Sequence, residues 1–291
     1  MERILIVGAG DIALRTIPQL AGRYRVYALV RSPRENLRSL GATPVAGDLD
    51  DRKSLVRIGG LADAVLHLAP PPAHGNADTR TRNLLASLGP KTRRIVYIST
   101  SGVYGDCNGE LVDESRPLHA ESGRAQRRAD AEAQIRNWAR RNCANASILR
   151  VPGIYAADRL PLARLDQPCI LNEEDVYTNH IHADDLARIC VAALQKARPC
   201  RIYHASCDSH LKMGEYFDLV ADAFGLPRPP RLGREQVKAA VSPVMYSFMT
   251  ESRRLANDRM KRELQVRLKY PNVADFLDSA ECKKAGLLRP S

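Results

Sequence analysis

The segment VGAGDIA at residues 7–13 constrains the fold of this chain most strongly, because it joins an apolar run to a helical pattern. Gly8 permits a tight turn, Gly10 lets the backbone approach a phosphate, and the small Ala13 lets the helix pack close to the strand. The free N–H groups at the start of the helix then suit a pyrophosphate. The pattern predicts a dinucleotide site built from Gly8, Gly10, Asp11, Ile12 and Ala13. A tight turn of purely structural origin is the alternative interpretation.

Short apolar runs and helical patterns alternate through the first half of the chain. Runs that are apolar on both faces are typical of parallel strands covered by helices. We predict strands at 4–7, 25–30, 43–47, 62–69, 93–100, 146–151 and 201–205, and helices at 183–196, 213–224 and 251–264. The fold class is therefore α/β, a doubly wound parallel sheet. A dinucleotide-binding domain is expected over 1–155, with 183–205 returning to it, and a smaller substrate lobe over 156–291.

The residue at the end of the second predicted strand reports on the cofactor. An acidic side chain there would bind the ribose hydroxyls of NAD. This chain instead has Arg31, with Arg34 one turn further on. A guanidinium suits the 2′-phosphate of NADP through charge-assisted contacts, so NADP is favoured over NAD. Alternatively, Arg31 is only a surface residue at a strand end.

Composition narrows the range of partners. The formal net charge is +11, but the basic residues are spread along the chain and aromatic residues make up only 5%. A solvated basic surface that favours anionic small molecules is therefore expected in preference to a nucleic-acid site. No apolar run is long enough to span a membrane. The seven cysteines are dispersed without metal-ligand spacing, which indicates reduced thiols and a cytoplasmic location.

Several further segments, in this order, resemble the epimerase/dehydratase branch of the extended short-chain dehydrogenase/reductase family. They are VGAGDIA (7–13), GDLDD (47–51), LHLA (66–69), YISTSGVYGD (97–106), LRVPGIY (149–155) and NHIHADDLA (179–187). The resemblance covers most of residues 1–275. It implies a Rossmann-type fold with a smaller C-terminal substrate lobe, a nicotinamide cofactor and a polar, sugar-like or nucleotide-sugar-like small-molecule substrate. Because members often pair through the helix after the VYGD turn, it also implies a possible homodimer.

The resemblance also implies roles for individual residues. Asp48 and Leu49 would flank the adenine, and Leu68 and Ala69 would line the cofactor channel. Ser99 would contact the cofactor, and a hydroxyl at Ser101 would face the nicotinamide and the substrate. Turn residues that bond their own backbone are the alternative for these serines. Arg159 and Asn179 lie at positions expected to contact the substrate.

The catalytic pair of that family, Tyr-x-x-x-Lys, is missing. No tyrosine and no lysine occur between Tyr104 and Tyr155, and the pattern occurs nowhere else in the chain. One alignment places Arg124 and Arg128 at the two catalytic positions, and another places Ser122 and Gln126 there. An arginine stays protonated at ordinary pH, so it can bind ribose, phosphate or an anionic substrate but cannot exchange a proton.

Helical spacing places Arg124 and Arg128 on one face with Ala131, Ile135 and Trp138, which predicts that both arginines extend an inward-facing stripe. We assign Arg128 to the cofactor and Arg124 to the substrate. The alternative is that their stems cover apolar surface while the charged ends stay in water.

The remaining candidate proton donors are Tyr104, His119 and Ser101. Two functions stay open: an NAD(P)-dependent oxidoreductase or epimerase, and a catalytically inactive NADP(H)-binding sensor or interaction protein. No metal is expected. Asp184 or Asp185 is predicted to cap a helix, and His67 is predicted to be a core residue.

Overall fold

The computed structural model describes residues 1–32, 34 and 36–287. The strands, in chain order, are β1 (Arg3–Val7), β2 (Arg25–Val30), β3 (Ala42–Ala46), β4 (Ala64–His67), β5 (Arg94–Thr100), β6 (Leu111–Val112), β7 (Asn145–Val151), β8 (Gly153–Tyr155), β9 (Cys169–Ile170), β10 (His180–His182), β11 (Ile202–His204), β12 (Arg231–Leu232) and β13 (Arg254–Leu255). The α-helices are α1 (Asp11–Leu20), α2 (Asn36–Ser39), α3 (Thr79–Ser87), α4 (Gly123–Arg141), α5 (Ala183–Lys196), α6 (Met213–Ala223), α7 (Arg234–Ala240), α8 (Pro243–Phe248), α9 (Asp258–Leu264), α10 (Val273–Leu277) and α11 (Ala280–Leu287). Short 3₁₀ helices lie at Arg52–Ile58, Ser101–Tyr104, Ala157–Arg159 and Leu162–Arg164.

A seven-stranded parallel sheet forms the centre, in the order β11-β7-β5-β4-β1-β2-β3. The chain runs outward from β1 to β3 and then returns to β4 on the other side of β1. This reversal is the switch point at which doubly wound folds bind nucleotides, outside the carboxyl ends of the strands. The predicted fold class is confirmed.

Alternate residues of β1 supply the two apolar layers around the sheet. Ile4 and Ile6 face a core with α1, α5 and α9, whereas Leu5 and Val7 face a core with α3 and α4. Both faces are therefore covered, which explains why the strands are almost continuously apolar.

A separate apolar cluster lies in the later part of the chain. It is centred on Phe217 and Val220 of α6 and Phe276 of α10, and it includes Met245 of α8. By contrast, α9 packs on the sheet through Met260 and Leu264. The first of these regions draws almost all of its residues from 156–291, the range predicted as a substrate lobe, while β11 pairs with β7 in the central sheet. The division into two domains stays a prediction.

Two helix predictions had different outcomes. The helix predicted at 183–196 is confirmed by α5, which spans Ala183–Lys196. The single helix predicted over 251–264 is wrong, because α9 begins only at Asp258 and residues 254–255 form β13, paired with β6. Asn179 explains the extended backbone: its amide nitrogen donates to the Arg253 carbonyl and its amide oxygen accepts from Leu255 N–H, both at 2.9 Å.

Candidate functional site

The phosphate loop between β1 and α1 has two glycines with different constraints. Gly8 has φ +96°, and a Cβ there would lie 2.6 Å from the Ala69 nitrogen. A Cβ on Gly10 would meet nothing within 4 Å. Gly8 is thus required by the fold, whereas the space above Gly10 is open to a ligand at the start of α1.

A cavity of about 420 Å³ extends from this loop over the carboxyl ends of β1 to β4. Twelve predicted residues line it: Gly8, Gly10, Asp11, Ile12, Ala13, Arg31, Arg34, Asp48, Leu49, Leu68, Ala69 and Arg159. Sequence reasoning missed nine others: Val7, Ala9, Leu29, Val30, Ser32, Gly47, Pro70, Arg80 and Ile154. Most of the nine adjoin a predicted residue, so widening each motif by one position would have found them. The open loop, the elongated cavity and its basic side chains fit a dinucleotide.

Arginines dominate the charge of this nucleotide pocket. Arg34 donates to the Ala9 carbonyl at 2.8 Å and so lies across the phosphate loop. Arg80 makes a bidentate pair with Asp50, at 2.8 and 2.6 Å, and this hydrogen bonding lowers the pKa of the Asp50 carboxyl. Arg31 is exposed and has no hydrogen bond or ion pair with any residue that the structure describes. Its guanidinium is therefore free to bind an anion.

Arg159 borders the nucleotide pocket. Its Nη2 lies 3.6 Å from Asp11 Oδ2, while Asp11 Oδ1 accepts from Arg15 at 2.9 Å. The Asp11 carboxylate thus holds two arginines at the start of α1. This placement favours a cofactor contact for Arg159 over the substrate contact predicted from sequence.

Tyr104 is buried away from the nucleotide pocket. Its hydroxyl lies 2.6 Å from His204 Nε2 and 2.6 Å from Arg150 Nη1. His204 Nδ1 lies 2.8 Å from the Ala256 carbonyl, which can only accept, so the Nδ1 proton is donated there and Nε2 accepts the tyrosine proton. Burial raises the pKa of Tyr104 to about 12 and lowers that of His204 to about 4. This geometry argues against Tyr104 as the proton donor.

A buried ion pair completes this network. Arg150 donates to both oxygens of Glu132, at 3.1 and 2.8 Å, and both side chains are almost completely buried. The Arg150 guanidinium also lies over the Tyr104 ring, 4.7 Å from its centroid. The network therefore joins the 3₁₀ turn after β5 to α4, β7 and β11, and has a structural role.

The arginines at the start of α4 take separate positions. Arg128 reaches the sheet, where it donates to the Tyr97 hydroxyl at 3.0 Å and to the Ile98 carbonyl at 2.7 Å. Arg124 lies over the Phe248 ring of α8, 4.2 Å from its centroid. Arg127 points elsewhere and donates to the Gly75 carbonyl. The predicted core stripe of Ala131, Ile135 and Trp138 is confirmed, and neither Arg124 nor Arg128 lines the nucleotide pocket.

The other predicted polar residues differ in their accessibility. Ser99 and Ser101 are buried, and Ser99 Oγ has no hydrogen-bond partner among the described residues. The His119 side chain is 72% exposed, with Nδ1 3.2 Å from Glu121. Asn179 uses both ends of its amide to hold residues 253–255, so its position indicates a structural role in place of the predicted substrate contact.

The sequence model of the NAD dependent epimerase/dehydratase family matches residues 4–205, more than half of the chain. The chain belongs to this family. Membership indicates oxidoreductase or epimerase chemistry with a nicotinamide cofactor, in agreement with the nucleotide pocket.

Solved structures extend the similarity over nearly the whole chain. A functionally unknown conserved protein from Silicibacter pomeroyi is 27% identical, with a TM-score of 0.79 and coverage of 98% of this chain and 99% of that one. UDP-glucose 4-epimerase from Thermotoga maritima, solved with UDP-glucose, is 17% identical, with a TM-score of 0.78 and the same coverage. UDP-glucuronic acid 4-epimerase from Bacillus cereus, solved with UDP-glucuronic acid and NAD, is 19% identical, with a TM-score of 0.76 and coverage of 99% and 100%. No curated protein matches the chain significantly.

Two of three side chains that could together bind a metal ion are instead paired with a lysine. One ligand atom each from His182, Asp184 and Glu281 lies within 4.8 Å of the others. The Lys269 ammonium lies 2.9 Å from Glu281 and 3.6 Å from Asp184, so a side chain supplies the positive charge.

The predicted cap of α5 needs correction. His182 is the N-cap, and its Nδ1 accepts from Asp184 N–H at 3.2 Å. Asp184 and Asp185 instead lie in the first turn, where Asp185 accepts from the backbone N–H groups of Lys269 and Tyr270.

His67 is confirmed as a core residue, with Nε2 2.9 Å from Thr81 Oγ1. Within the described ranges, no helix has both the length and the apolar character needed to span a bilayer.

Proposed function

We propose that this chain is an NADP(H)-preferring oxidoreductase or epimerase that acts on a polar, anionic substrate of the nucleotide-sugar type without a Tyr-x-x-x-Lys pair. The observation that carries the cofactor preference is the exposed guanidinium of Arg31 at the end of β2, beside the nucleotide pocket. A side chain at this position lies next to the adenosine ribose in doubly wound folds. A positive charge there favours a 2′-phosphate, whereas a carboxylate would repel it.

Cofactor titration tests this preference. We expect tighter binding of NADPH than of NADH, and we expect Arg31→Ala to weaken NADPH binding about tenfold or more while leaving NADH binding nearly unchanged. Arg23→Ala is the matched control, because Arg23 is an exposed arginine just before the amino end of β2, at the opposite edge of the sheet. Tighter binding of NADH than of NADPH to the unmodified protein would falsify the proposal.

The substrate class rests on Arg124. Its guanidinium is partly buried over Phe248 and has no hydrogen bond with any described residue. Burial lowers the pKa of this group, and the Glu251 carboxylate opposes this effect only in part, so an anionic ligand would stabilise the charged guanidinium further. The similar epimerases were solved with UDP-glucose and UDP-glucuronic acid, which makes both compounds suitable probes.

Binding of UDP-glucuronic acid tests the substrate class. We expect Arg124→Ala to weaken binding, measured by calorimetry in the presence of NADPH. Arg127→Ala serves as the control, because Arg127 lies one turn away but bonds to the Gly75 carbonyl. Equal losses in the two variants would contradict a specific role for Arg124.

A second candidate function is an NADP(H)-binding sensor without turnover. It is favoured by one observation: Ser101, Tyr104 and His119 all lie outside the nucleotide pocket. NADPH binding without any conversion of nucleotide sugars or small aldehydes would support the sensor. Cofactor-dependent turnover would support the enzyme.

We also infer a homodimer through the outer surface of α3 and α4. A groove of about 490 Å³ lies between these helices, lined by residues that include Arg82, Trp138, Arg140 and Arg141. Light scattering at micromolar concentration tests the inference, and a monomeric mass would contradict it.

A further inference from the structure

Glu251 lies beside the turn that follows β5, although it is distant from that turn in sequence. A Cβ on Gly102 would lie 4.0 Å from Glu251 Oε2 and 3.6 Å from Thr100 Oγ1. Thr100 is the last residue of β5, and its side chain accepts from Gly102 N–H. A carboxylate is therefore present at the carboxyl edge of the sheet, next to the strand end that carries the predicted hydroxyl residues.

The backbone on the C-terminal side of Glu251 is firmly held. The Ser252 carbonyl accepts from Cys107 N–H at 2.9 Å and from Gly109 N–H at 3.0 Å. Ser252 N–H donates to Asp106 at 2.7 Å. The segment carrying Glu251 is thus tied to the loop after the 3₁₀ turn, which restricts the movement of the carboxylate relative to Thr100.

Arg253 orients one oxygen of this carboxylate. Its Nη1 donates to Glu251 Oε2 at 2.9 Å and to the Gly105 carbonyl at 2.6 Å. Glu251 Oε1 accepts no hydrogen bond from any described residue, and its side chain keeps 14% of its surface exposed. The contact with Arg253 leaves the second carboxylate oxygen without a hydrogen bond from the part of the chain that the structure describes, and the Arg124 guanidinium interacts with Glu251 only electrostatically.

The nucleotide pocket is oriented so that the nicotinamide end of a bound cofactor would point towards the end of β5, where Glu251 lies. The pocket follows the carboxyl ends of β3, β2, β1 and β4. A dinucleotide bound across the switch point extends along this crevice, with its adenosine over β2 and its second nucleotide towards β4 and β5. Thr100 and Glu251 lie at the end of β5, where the nicotinamide half would arrive.

We propose that Glu251 is the general base for the proposed NADP(H)-dependent function. The ionised Oε1 accepts the proton of a substrate hydroxyl as the O–H bond breaks and the carbonyl C=O bond forms. A hydride leaves the same carbon for the oxidised nicotinamide, so the alcohol loses two electrons and the cofactor gains them. In reverse, protonated Glu251 returns the proton to the carbonyl oxygen as hydride is added. Arg253 acts as a positioning residue.

The other polar groups near the end of β5 are less suitable as a general base than Glu251. The Tyr104 proton is donated to His204, and its oxygen accepts from Arg150. Arg124 and Arg128 remain charged and cannot accept a proton. Glu251 is a carboxylate that can accept a proton and is not part of the Tyr104 network. No family motif in the sequence includes it.

Cofactor binding tests the position of Glu251 without a substrate. The oxidised nicotinamide ring is positively charged, whereas the reduced ring is neutral. We expect Glu251→Gln to weaken NADP⁺ binding about tenfold and to leave NADPH binding within about twofold, because only the charged ring is attracted by the carboxylate. Glu235→Gln is the matched control, since Glu235 lies on α7 with 83% of its side chain exposed.

The outcomes separate this proposal from the proposed function. If the unmodified protein binds neither NADP⁺ nor NADPH, the proposed function fails and the role of Glu251 fails with it. If both cofactors bind but Glu251→Gln leaves the ratio of their dissociation constants unchanged, only the role of Glu251 is overturned. A selective loss of NADP⁺ affinity supports it.

Turnover provides a second readout with UDP-glucose as the probe. Where the unmodified protein oxidises it, we expect Glu251→Gln to lower kcat by 10²-fold or more, the range for loss of a general base. Unchanged kcat would overturn the proposal. Where no oxidation occurs, the ratio of cofactor affinities decides.

Discussion

The Tyr104 hydroxyl donates a hydrogen bond to His204, 2.6 Å away and 100 residues further along the chain. This bond joins the turn after β5 to the last strand of the central sheet. The same oxygen accepts from Arg150, so both the proton and a lone pair are engaged. A tyrosine held in this way stabilises the sheet edge and is not available to exchange a proton with a ligand.

Removing this hydroxyl should affect stability more than binding. We expect Tyr104→Phe to lower the free energy of unfolding by about 1–3 kcal/mol, because buried His204 and Arg150 each lose a partner. Urea unfolding measures this change, and NADPH binding should stay within about twofold. Unchanged stability combined with lost turnover would instead return Tyr104 to the list of proton donors.

The ion pair between Glu132 and Arg150 should contribute more to the free energy of unfolding than the Tyr104 hydroxyl does. We expect Glu132→Gln to destabilise the protein by about 3–5 kcal/mol, because Arg150 would remain buried without a countercharge. Arg136 also contacts Glu132 but is 38% exposed, so Arg136→Ala should cost about 1 kcal/mol or less. Comparable effects of the two variants on urea unfolding would show that burial does not control this network.

The two glycines of the phosphate loop should respond differently to alanine. Gly10→Ala should leave the melting temperature unchanged but weaken NADPH binding about tenfold, because the added methyl group projects into open space needed by the pyrophosphate. Gly8→Ala should lower the melting temperature, because its positive φ and the nearby Ala69 backbone leave no room for a Cβ. A reversed pattern would contradict this assignment.

Stability should fall as the pH is lowered below neutrality. Burial lowers the pKa of His67 and His180 to about 3 and that of His204 to about 4, from an unfolded value of 6.5. The unfolded chain therefore binds more protons than the folded one below pH 6.5. Each histidine lowers the free energy of unfolding by about 1.4 kcal/mol per pH unit below pH 6.5 until its folded pKa is reached.

Urea unfolding at several values between pH 7.5 and pH 5 measures this slope. His67→Gln should reduce the slope by about one histidine's contribution, or about 1.4 kcal/mol per pH unit. His119→Gln should leave it unchanged, because that side chain is 72% exposed. A slope that is the same in all three proteins would contradict the assignment to buried histidines. Buried Glu114 and Asp175 have raised pKa values and act in the opposite direction, in the more acidic range.

The central sheet and much of the nucleotide pocket could be predicted from sequence because their signals are local. Each predicted part of the pocket follows a strand that can be recognised in the sequence as a short apolar run. These parts are the phosphate loop, Arg31 and the residues after β3 and β4. Parallel strands then bring their carboxyl ends to one edge without any further information.

Residues whose roles depend on distant partners could not be assigned in this way. Glu251 reaches the end of β5 only because Asn179 and residues 105–112 hold its segment extended, whereas local composition favoured a helix there. The partners of the Tyr104 hydroxyl could not be predicted for the same reason, since Arg150 lies on β7 and His204 lies on β11. The hydrophobic periodicity of a segment does not indicate contacts with residues that are distant in sequence.

Because β13 pairs with β6, the position of Glu251 does not depend on the number of residues that precede it in the later part of the chain. Residues 105–112 form backbone hydrogen bonds with residues 252–256. The segment containing α7 and α8 therefore does not determine where the Glu251 carboxylate lies. Insertions or deletions between α6 and α8 would therefore leave it in register. The apolar cluster around α6, α8 and α10 can thus be remodelled while the Glu251 carboxylate stays at a fixed distance from the sheet.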